Sequence, residues 1–366
     1  MAHLPENVVF SILAGLPVKS LVRFKSVDKH WCMLISDPRL VDSHLDRAKM
    51  RKKKQGLILS GRVDGDRYST IHFFSLRLSE AGDGVAVPIY STTVSLGRYH
   101  VLPSCNGLIC FYSIDRIYIC NPNIRQMVTI TRSDVDYAAS SLSMNMCCGF
   151  GFDCSTNQYK IIKLMESSSE PRLGAQVFSL GTGEWRKISG SPTCKLLRLD
   201  YPVSVNGFFY WITAASTFSE LLVSFDIGNE KFEVVPHPEC LSTKKRHLLS
   251  VVELGGHLCL VDLDFESEGN RRMDIWMMLD EWGEGEDRIW VQESIVHSSE
   301  ALDAVRPVAI VDGQILLHGF IKGLGNLIWY DLHSQSFKDA DVEGIPSSHF
   351  FISPHVESLV SVGKKI

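Results

Sequence analysis

The apolar positions change period once along the chain. From the start they fall at Leu4, Val8, Val9, Ile12, Leu13 and Leu16, the spacing of one helical face. Pro5 suits the first turn, where its missing N–H costs no hydrogen bond, and Gly15 with Pro17 ends the segment. A second short helix accommodates Leu21, Val22 and Phe24. A third carries Val27, Trp31, Leu34 and Ile35 at i, i+4, i+7 and i+8, and Asp37-Pro38 stops it. Three helices in about 35 residues make too small a unit to be stable alone. Their apolar face must be covered, either by the rest of the chain or by another protein.

From Gly56 the runs shorten to the length of strands, as in Gln176–Leu180, Leu221–Phe225 and Gln314–Leu317, with Gly, Asn, Asp and Ser between them. Two weak repeats run through this part. In the first, two bulky residues seven positions apart flank a polar turn: Phe152 and Tyr159, Phe178 and Trp185, Phe225 and Phe232, Tyr330 and Phe337, with Cys120 and Met127 as a degenerate copy. Each predicts a hairpin with both side chains on one buried face. In the second, a turn precedes a strand: Asn106-Gly107, Asn206-Gly207, Gly255-Gly256 and Asp312-Gly313. Gly207, Gly256 and Gly313 are 49 and 57 residues apart, near the ~50-residue period of kelch blades.

The fold class that follows is a small all-α N-terminal module and a large all-β domain. The β part is expected to be a degenerate, kelch-like β-propeller of about six blades, with a twisted β-sandwich as the alternative. The expected boundaries are a helical module over 1–45, a linker over 46–56 and the β domain over 57–366. Trp185, Trp211, Trp276 and Trp329 sit in strand patterns and are expected in blade cores rather than on a sugar platform.

Composition narrows the class of function. The 366 residues carry a net charge of −5, with 45% hydrophobic and 22% charged residues, which fits a globular protein and gives no support to nucleic-acid binding. No run approaches the ~18 apolar residues of a membrane span, and the first residues lack a secretory signal pattern. Ten cysteines form no Cys-x-x-Cys pair and mostly lie in apolar runs, so they are expected as reduced core thiols in cytoplasm or nucleus. Six of the eight positions 47 to 54 are basic. This run is expected to be a solvated linker or helix tail, with a nuclear import signal or an acidic-partner contact as the other reading.

Catalytic signatures are missing: no Gly-x-Ser-x-Gly elbow, His-Glu-x-x-His pair or Walker-type loop occurs. Asp262, Asp264, Glu266 and Glu268 lack the glycine and spacing of a calcium loop and are expected on a hairpin. No cofactor, metal, nucleic acid or membrane partner is expected, and no catalysis.

The helical segment carries a stronger signal. Leu4-Pro5-Glu6-Asn7, Ile12-Leu13, Leu16-Pro17-Val18-Lys19-Ser20-Leu21, Arg23-Phe24-Lys25-Ser26-Val27, Lys29-His30-Trp31 and Leu34-Ile35-Ser36-Asp37-Pro38 together resemble the F-box, in order and without gaps. Ser11 and Asp28 depart from the usual pattern and are expected on exposed faces. The resemblance implies binding of a Skp-type adaptor, and through it a cullin and a RING subunit. Carried over by position, the implied contacts are Leu4, Pro5, Ile12, Leu13, Leu16, Pro17, Leu21, Phe24, Val27 and Trp31. Trp31 is the best single anchor, because large aromatics dominate interfaces.

The β part is similar to the plant F-box-associated domain, in the broad group that includes S-locus-like F-box proteins. The motifs are Ser104-Cys105-Asn106-Gly107-Leu108-Ile109-Cys110, Ile119-Cys120-Asn121-Pro122, Gly149-Phe150-Gly151-Phe152-Asp153 and Asn157-Gln158-Tyr159-Lys160. Val205-Asn206-Gly207 with Tyr210-Trp211, and Asp274-Ile275-Trp276 with Trp290, belong to the same pattern. The function this implies is the substrate-recognition subunit of an SCF ubiquitin ligase, with an unidentified protein substrate. The alternative is an adaptor-binding lectin-like or regulatory protein acting outside a ligase. Loops around Arg132 to Asn145 and Glu281 to Asp287 are the expected target-binding segments.

Overall fold

The computed structural model describes residues 5–50, 56–61, 70–79, 82–94, 99–113, 116–131, 146–166, 172–196, 202–216, 219–238, 247–267, 270–279, 289–298, 305–321, 324–345 and 350–363. Four helices come first: α1 (Glu6–Leu13), α2 (Val18–Phe24), α3 (Lys29–Ile35) and α4 (Pro38–Met50). The fourth goes beyond the three that periodicity predicts. Asp37-Pro38 does end α3, but Pro38 also opens α4, since its fixed φ and missing N–H fit a first helical turn. Leu40, His44 and Leu45 form the buried side of α4. The helix therefore continues through residue 45 into the basic run.

The β part consists of six sheets, the blades of a β-propeller, antiparallel throughout except where Val342–Glu343 pairs in parallel with Gly84–Val85. Blade 1 orders Val342–Glu343, Gly84–Thr93, Thr70–Leu78, Gly56–Gly61 and Phe350–His355. Blade 2 is His100–Val101, Ile109–Tyr112, Ile117–Asn121 and Gln126–Ile130. Blade 3 is Met146–Asp153, Gln158–Met165, Gly174–Ser179 and Glu184–Ile188. In blade 4, Lys195–Leu196 and Val203–Val205 both pair with Phe208–Ser216, followed by Ser219–Asp226 and Phe232–Val235. Blade 5 is His247–Leu254, His257–Ser267, Asn270–Leu279 and Ile289–Ser298. Blade 6 is Arg306–Val311, Gln314–Ile321, Leu324–Asp331 and Ser336–Asp339. The sandwich alternative fails because each run of consecutive strands forms its own sheet, whereas a sandwich would share its strands between two. Two compact units emerge, residues 1–131 with 342–366 and residues 132–341.

Both repeats turn out to be register devices. In all five bulky pairs the two members face each other across a ladder: Cys120 and Met127, Phe152 and Tyr159, Phe178 and Trp185, Phe225 and Phe232, Tyr330 and Phe337. The four aromatic pairs hold ring centroids 4.9, 5.2, 4.8 and 4.9 Å apart, within contact range. Two residues before each second member the backbone turns left-handed, at Arg125, Asn157, Gly183, Glu230 and Gln335. A carboxylate beside the first member caps three of these turns. Asp153, Asp226 and Asp331 accept from the backbone of Ser155, Gly228 and Ser334. The shared buried face is only half realised: Tyr330 is buried but Phe337 is 37% exposed. The four glycine turns have positive φ at both central residues, as in Asn206-Gly207 at 48° and 84°, which are the type I′ turns that suit twisted hairpins.

Consecutive blades within each unit share apolar clusters. Ile58, Phe73, Phe111 and Cys120 join blades 1 and 2. Val177, Trp211 and Phe225 join blades 3 and 4. Leu222, Leu249 and Leu260 join blades 4 and 5, and Val261, Ile275, Leu317 and Tyr330 join blades 5 and 6. Trp211 and Trp329 are buried as expected, while Trp185 and Trp276 are half-buried. A buried lysine ties blades 3 and 4. The Lys160 ammonium lies 2.7 Å from Asp153 Oδ2 and 3.0 Å from Glu230 Oε1, and donates to the Ile227 carbonyl at 2.9 Å. Arg186 also reaches Glu230. Burial alone would raise the Asp153 carboxyl, but hydrogen bonds from Lys160, Thr156 and Ser155 outweigh it and hold its pKa far below the usual range.

One buried and one half-buried histidine, His355 and His318, make stability sensitive to acid. Burial pushes the His355 imidazole down to about 4. Burial, and then the nearby Arg306 charge, pushes His318 down to about 4. The folded state keeps both neutral, while the unfolded chain takes up protons near the ordinary value of 6.5. Stability is complete above 6.5 and falls as pH drops from there to 4, on the order of 1 kcal/mol per pH unit for each histidine. The melting temperature is expected to decline steadily from pH 7 to pH 5, and less steeply in His355→Gln. A flat profile over that window counts against this account.

Candidate functional site

The apolar side chains of the helical module fall into a buried set and an exposed set. Leu13, Val18, Leu21, Leu34, Ile35 and Leu40 point inward and close a core. That core also takes in Leu359, from the end of the chain, and touches Ile124 of blade 2. The rest of the chain thus covers one face of a module too small to bury itself. Other apolar side chains stay open: Ile12, Val27 and Met33 are 52%, 64% and 74% exposed, with Val8 and Val22 also exposed.

The implied contact residues divide along the same line. Pro5, Ile12, Pro17 and Val27 are exposed. Leu16, Phe24 and Trp31 are half-buried and pack on the edge of the helical core. Leu13 and Leu21 are fully inside, so their part in any docking is to hold the helices in place. Leu4 lies outside the described residues. Trp31 meets Phe24 edge-on, with centroids 5.4 Å apart and planes at 81°, which fixes its ring at the edge of the helical core.

Residues that looked like departures or linker have structural roles here. Asp28 is the N-cap of α3, its carboxylate accepting from the Trp31 N–H at 2.8 Å. The signal was readable in Asp28 directly before a helical run. Arg47, from the basic run, donates to the Ser11 carbonyl at 2.9 Å and so ties α4 to α1. His44 Nε2 makes a 2.9 Å hydrogen bond with the Leu16 carbonyl. Positions 51–54 of the basic run, and the loops at 132–145 and 280–288, lie outside the described residues. Sequence reasoning missed Val8, Val22 and Met33, whose exposure depends on how the helices pack.

Among the described residues no group of three or more His, Cys, Asp and Glu is placed to hold a metal ion. The described cysteines are free thiols, and burial pushes Cys110 and Cys120 well up and Cys259 to about 12. Among the described residues no helix is long and apolar enough to cross a membrane.

A helical module with exposed apolar side chains is joined to a six-bladed propeller. A family model described as the F-box associated beta propeller domain matches residues 62–363. An F-box/kelch-repeat protein of Arabidopsis thaliana is 27% identical over 335 residues, covering 88% of this chain and 86% of the relative. The Arabidopsis F-box protein CPR1 is 27% identical over 380 residues, covering 95% and 87%. The solved TolB of Acinetobacter baumannii is a more distant likeness, with a TM-score of 0.45 and 11% identity over 82% of this chain and 69% of that one. The chain belongs to the plant F-box proteins that carry an F-box-associated, kelch-like β-propeller.

Proposed function

We propose that this protein is the substrate-recognition subunit of an SCF-type ubiquitin ligase, working in the cytoplasm or nucleus without catalysis of its own. The exposed apolar side chains Ile12, Val27 and Met33 on the helical module, together with half-buried Trp31, support this reading. Helices of a Skp-type adaptor would cover them, as apolar helical faces are covered in helix-in-groove recognition. Cullin and RING subunits would join through the adaptor. The propeller would bind a target protein for ubiquitination, presenting it on loops held by a rigid scaffold.

Titration of the full chain with a purified Skp-type adaptor tests the first step. Saturable one-to-one binding, with Kd of about 1 µM or tighter, is expected. Addition of cullin and RING subunits should then give a single larger complex. An adaptor complex that never takes up cullin would favour a regulatory protein acting outside a ligase. No adaptor binding would sink both readings.

A further inference from the structure

Residues 356–362, which follow the last strand, have no regular secondary structure, yet Ser358, Leu359 and Val362 are 0%, 2% and 2% exposed. Blade 2 holds them. Asn121, itself fully buried at the end of Ile117–Asn121, turns its amide on this segment. Its Nδ2 donates to the Ser358 carbonyl at 3.0 Å, to Ser358 Oγ at 3.2 Å and to the Val360 carbonyl at 2.9 Å. Its Oδ1 accepts from the Asn123 N–H at 3.0 Å, which fixes the amide orientation.

A second blade 2 residue leaves room for the segment. Gly107 has φ +81°, and a Cβ there would lie 2.3 Å from Ser358 Oγ and 2.7 Å from the Val356 carbonyl. The segment is pressed against this turn so closely that only glycine fits. Further along, the Ser361 hydroxyl donates to Gln126 Oε1 at 2.8 Å. At the start, His355 is hydrogen-bonded to Ser104 at 2.8 Å and to Asn123 at 2.9 Å. Between these anchor points Leu359 leaves the propeller and enters the core of the helical module.

We propose that residues 356–362 are a strap that locks the helical module to blade 2, and that Asn121 and Gly107 are positioning residues for target presentation. The proposal rests on the ligase reading above. Ubiquitin transfer within an assembly depends on the effective concentration of the target at the donor, and a slack joint lowers it. The strap removes that slack. It also accounts for Asn106-Gly107 and Asn121-Pro122-Asn123, which clasp the chain's own end and leave the target to be met elsewhere.

Gly107→Ala and Gly207→Ala form a matched pair. Both glycines have positive φ, +81° and +84°, so alanine strains the two turns alike, but nothing lies within 4 Å of a Cβ at Gly207. Only Gly107→Ala should expel the strap. Hydrogen exchange of the full chain, without partners, is the first readout. Gly107→Ala and Asn121→Ala are expected to speed exchange in α1–α4 and 356–362 by about tenfold or more, while Gly207→Ala leaves them unchanged. A chain ending at His355 keeps the last strand and should match Gly107→Ala, which guards against misfolding of any one variant. Self-ubiquitination in a complex with adaptor, cullin, RING and E2 is the second readout. The parent and Gly207→Ala should modify the same narrow set of their own lysines. Gly107→Ala and Asn121→Ala should spread modification over more lysines, with adaptor affinity kept within about twofold. If the two glycine variants behave alike in exchange, or the lysine pattern does not move, the strap proposal is overturned. If the parent binds no adaptor, the ligase reading fails separately, and the exchange comparison still decides whether the strap holds the helices.

Discussion

The full chain carrying Ile12→Asp and Val27→Asp is expected to lose the Skp-type adaptor while melting at the parent's temperature. Both side chains are more than half exposed, at 52% and 64%, so a carboxylate there remains in water and costs the fold little. Docking is another matter, because a partner helix would bury each charge without a counter-ion. Interface anchors commonly contribute about 2 kcal/mol each, so the pair should weaken binding by about a thousandfold. Leu21→Asp reverses the pattern. Leu21 is fully buried against Leu13, Ile35 and Leu359, and a carboxylate there should unfold the helices before docking is in question. Far-ultraviolet circular dichroism and adaptor titration, run on both variants, separate the two outcomes. In cells, the double variant should bind the target without shortening its half-life, and in excess it should protect the target by occupying it. Full adaptor binding by the double variant would remove these side chains from the mechanism.

Much of this arrangement was readable because it is local. The seven-residue spacing of Phe225 and Phe232, or of Tyr330 and Phe337, encodes a ladder pair and a left-handed turn within a few residues. Double positive-φ turns announce themselves through Asn-Gly, Gly-Gly and Asp-Gly, so four hairpin turns were visible at once. The helices were visible from period 3.6, and the F-box resemblance named the residues of their face. Which of those residues look outward was not visible. Leu13 and Ile12 are neighbours in sequence with equal hydropathic claims, and the packing of α2–α4, completed by Leu359 more than 300 residues later, decides that Leu13 is inside. The same holds for α4. Its buried side depends on the helices it meets, and its basic residues disguised it as a linker although Asp37-Pro38 marks its start. Long-range pairing of this kind leaves no periodic trace in a single sequence.

Deleting residues 350–366 should cause the largest loss of stability. Phe350–His355 pairs with Gly56–Gly61 in a continuous antiparallel register, from Gly56 opposite His355 to Gly61 opposite Phe350. The last strand of the chain thus completes the sheet built by its first three. Propellers use such pairing to avoid an open edge. Without it, Gly56–Gly61 becomes an unpaired edge carrying Ile58 and Leu59, both now essentially buried. The deletion also removes Phe350, Ile352, Leu359 and Val362, all at least nine-tenths buried. At about 1.5–3 kcal/mol for each buried apolar side chain, the loss is roughly 6–12 kcal/mol, comparable with the whole net stability of a typical domain. The truncated chain is therefore expected to aggregate or to be cut rapidly by protease within residues 1–131. The chain ending at His355 provides the comparison: it keeps the ladder and should remain soluble, with only its helices loosened. Size-exclusion chromatography and limited proteolysis of the two truncations decide the matter. If the shorter chain stays monomeric and melts cooperatively, the last strand is dispensable and blade 1 stands on its first three strands alone.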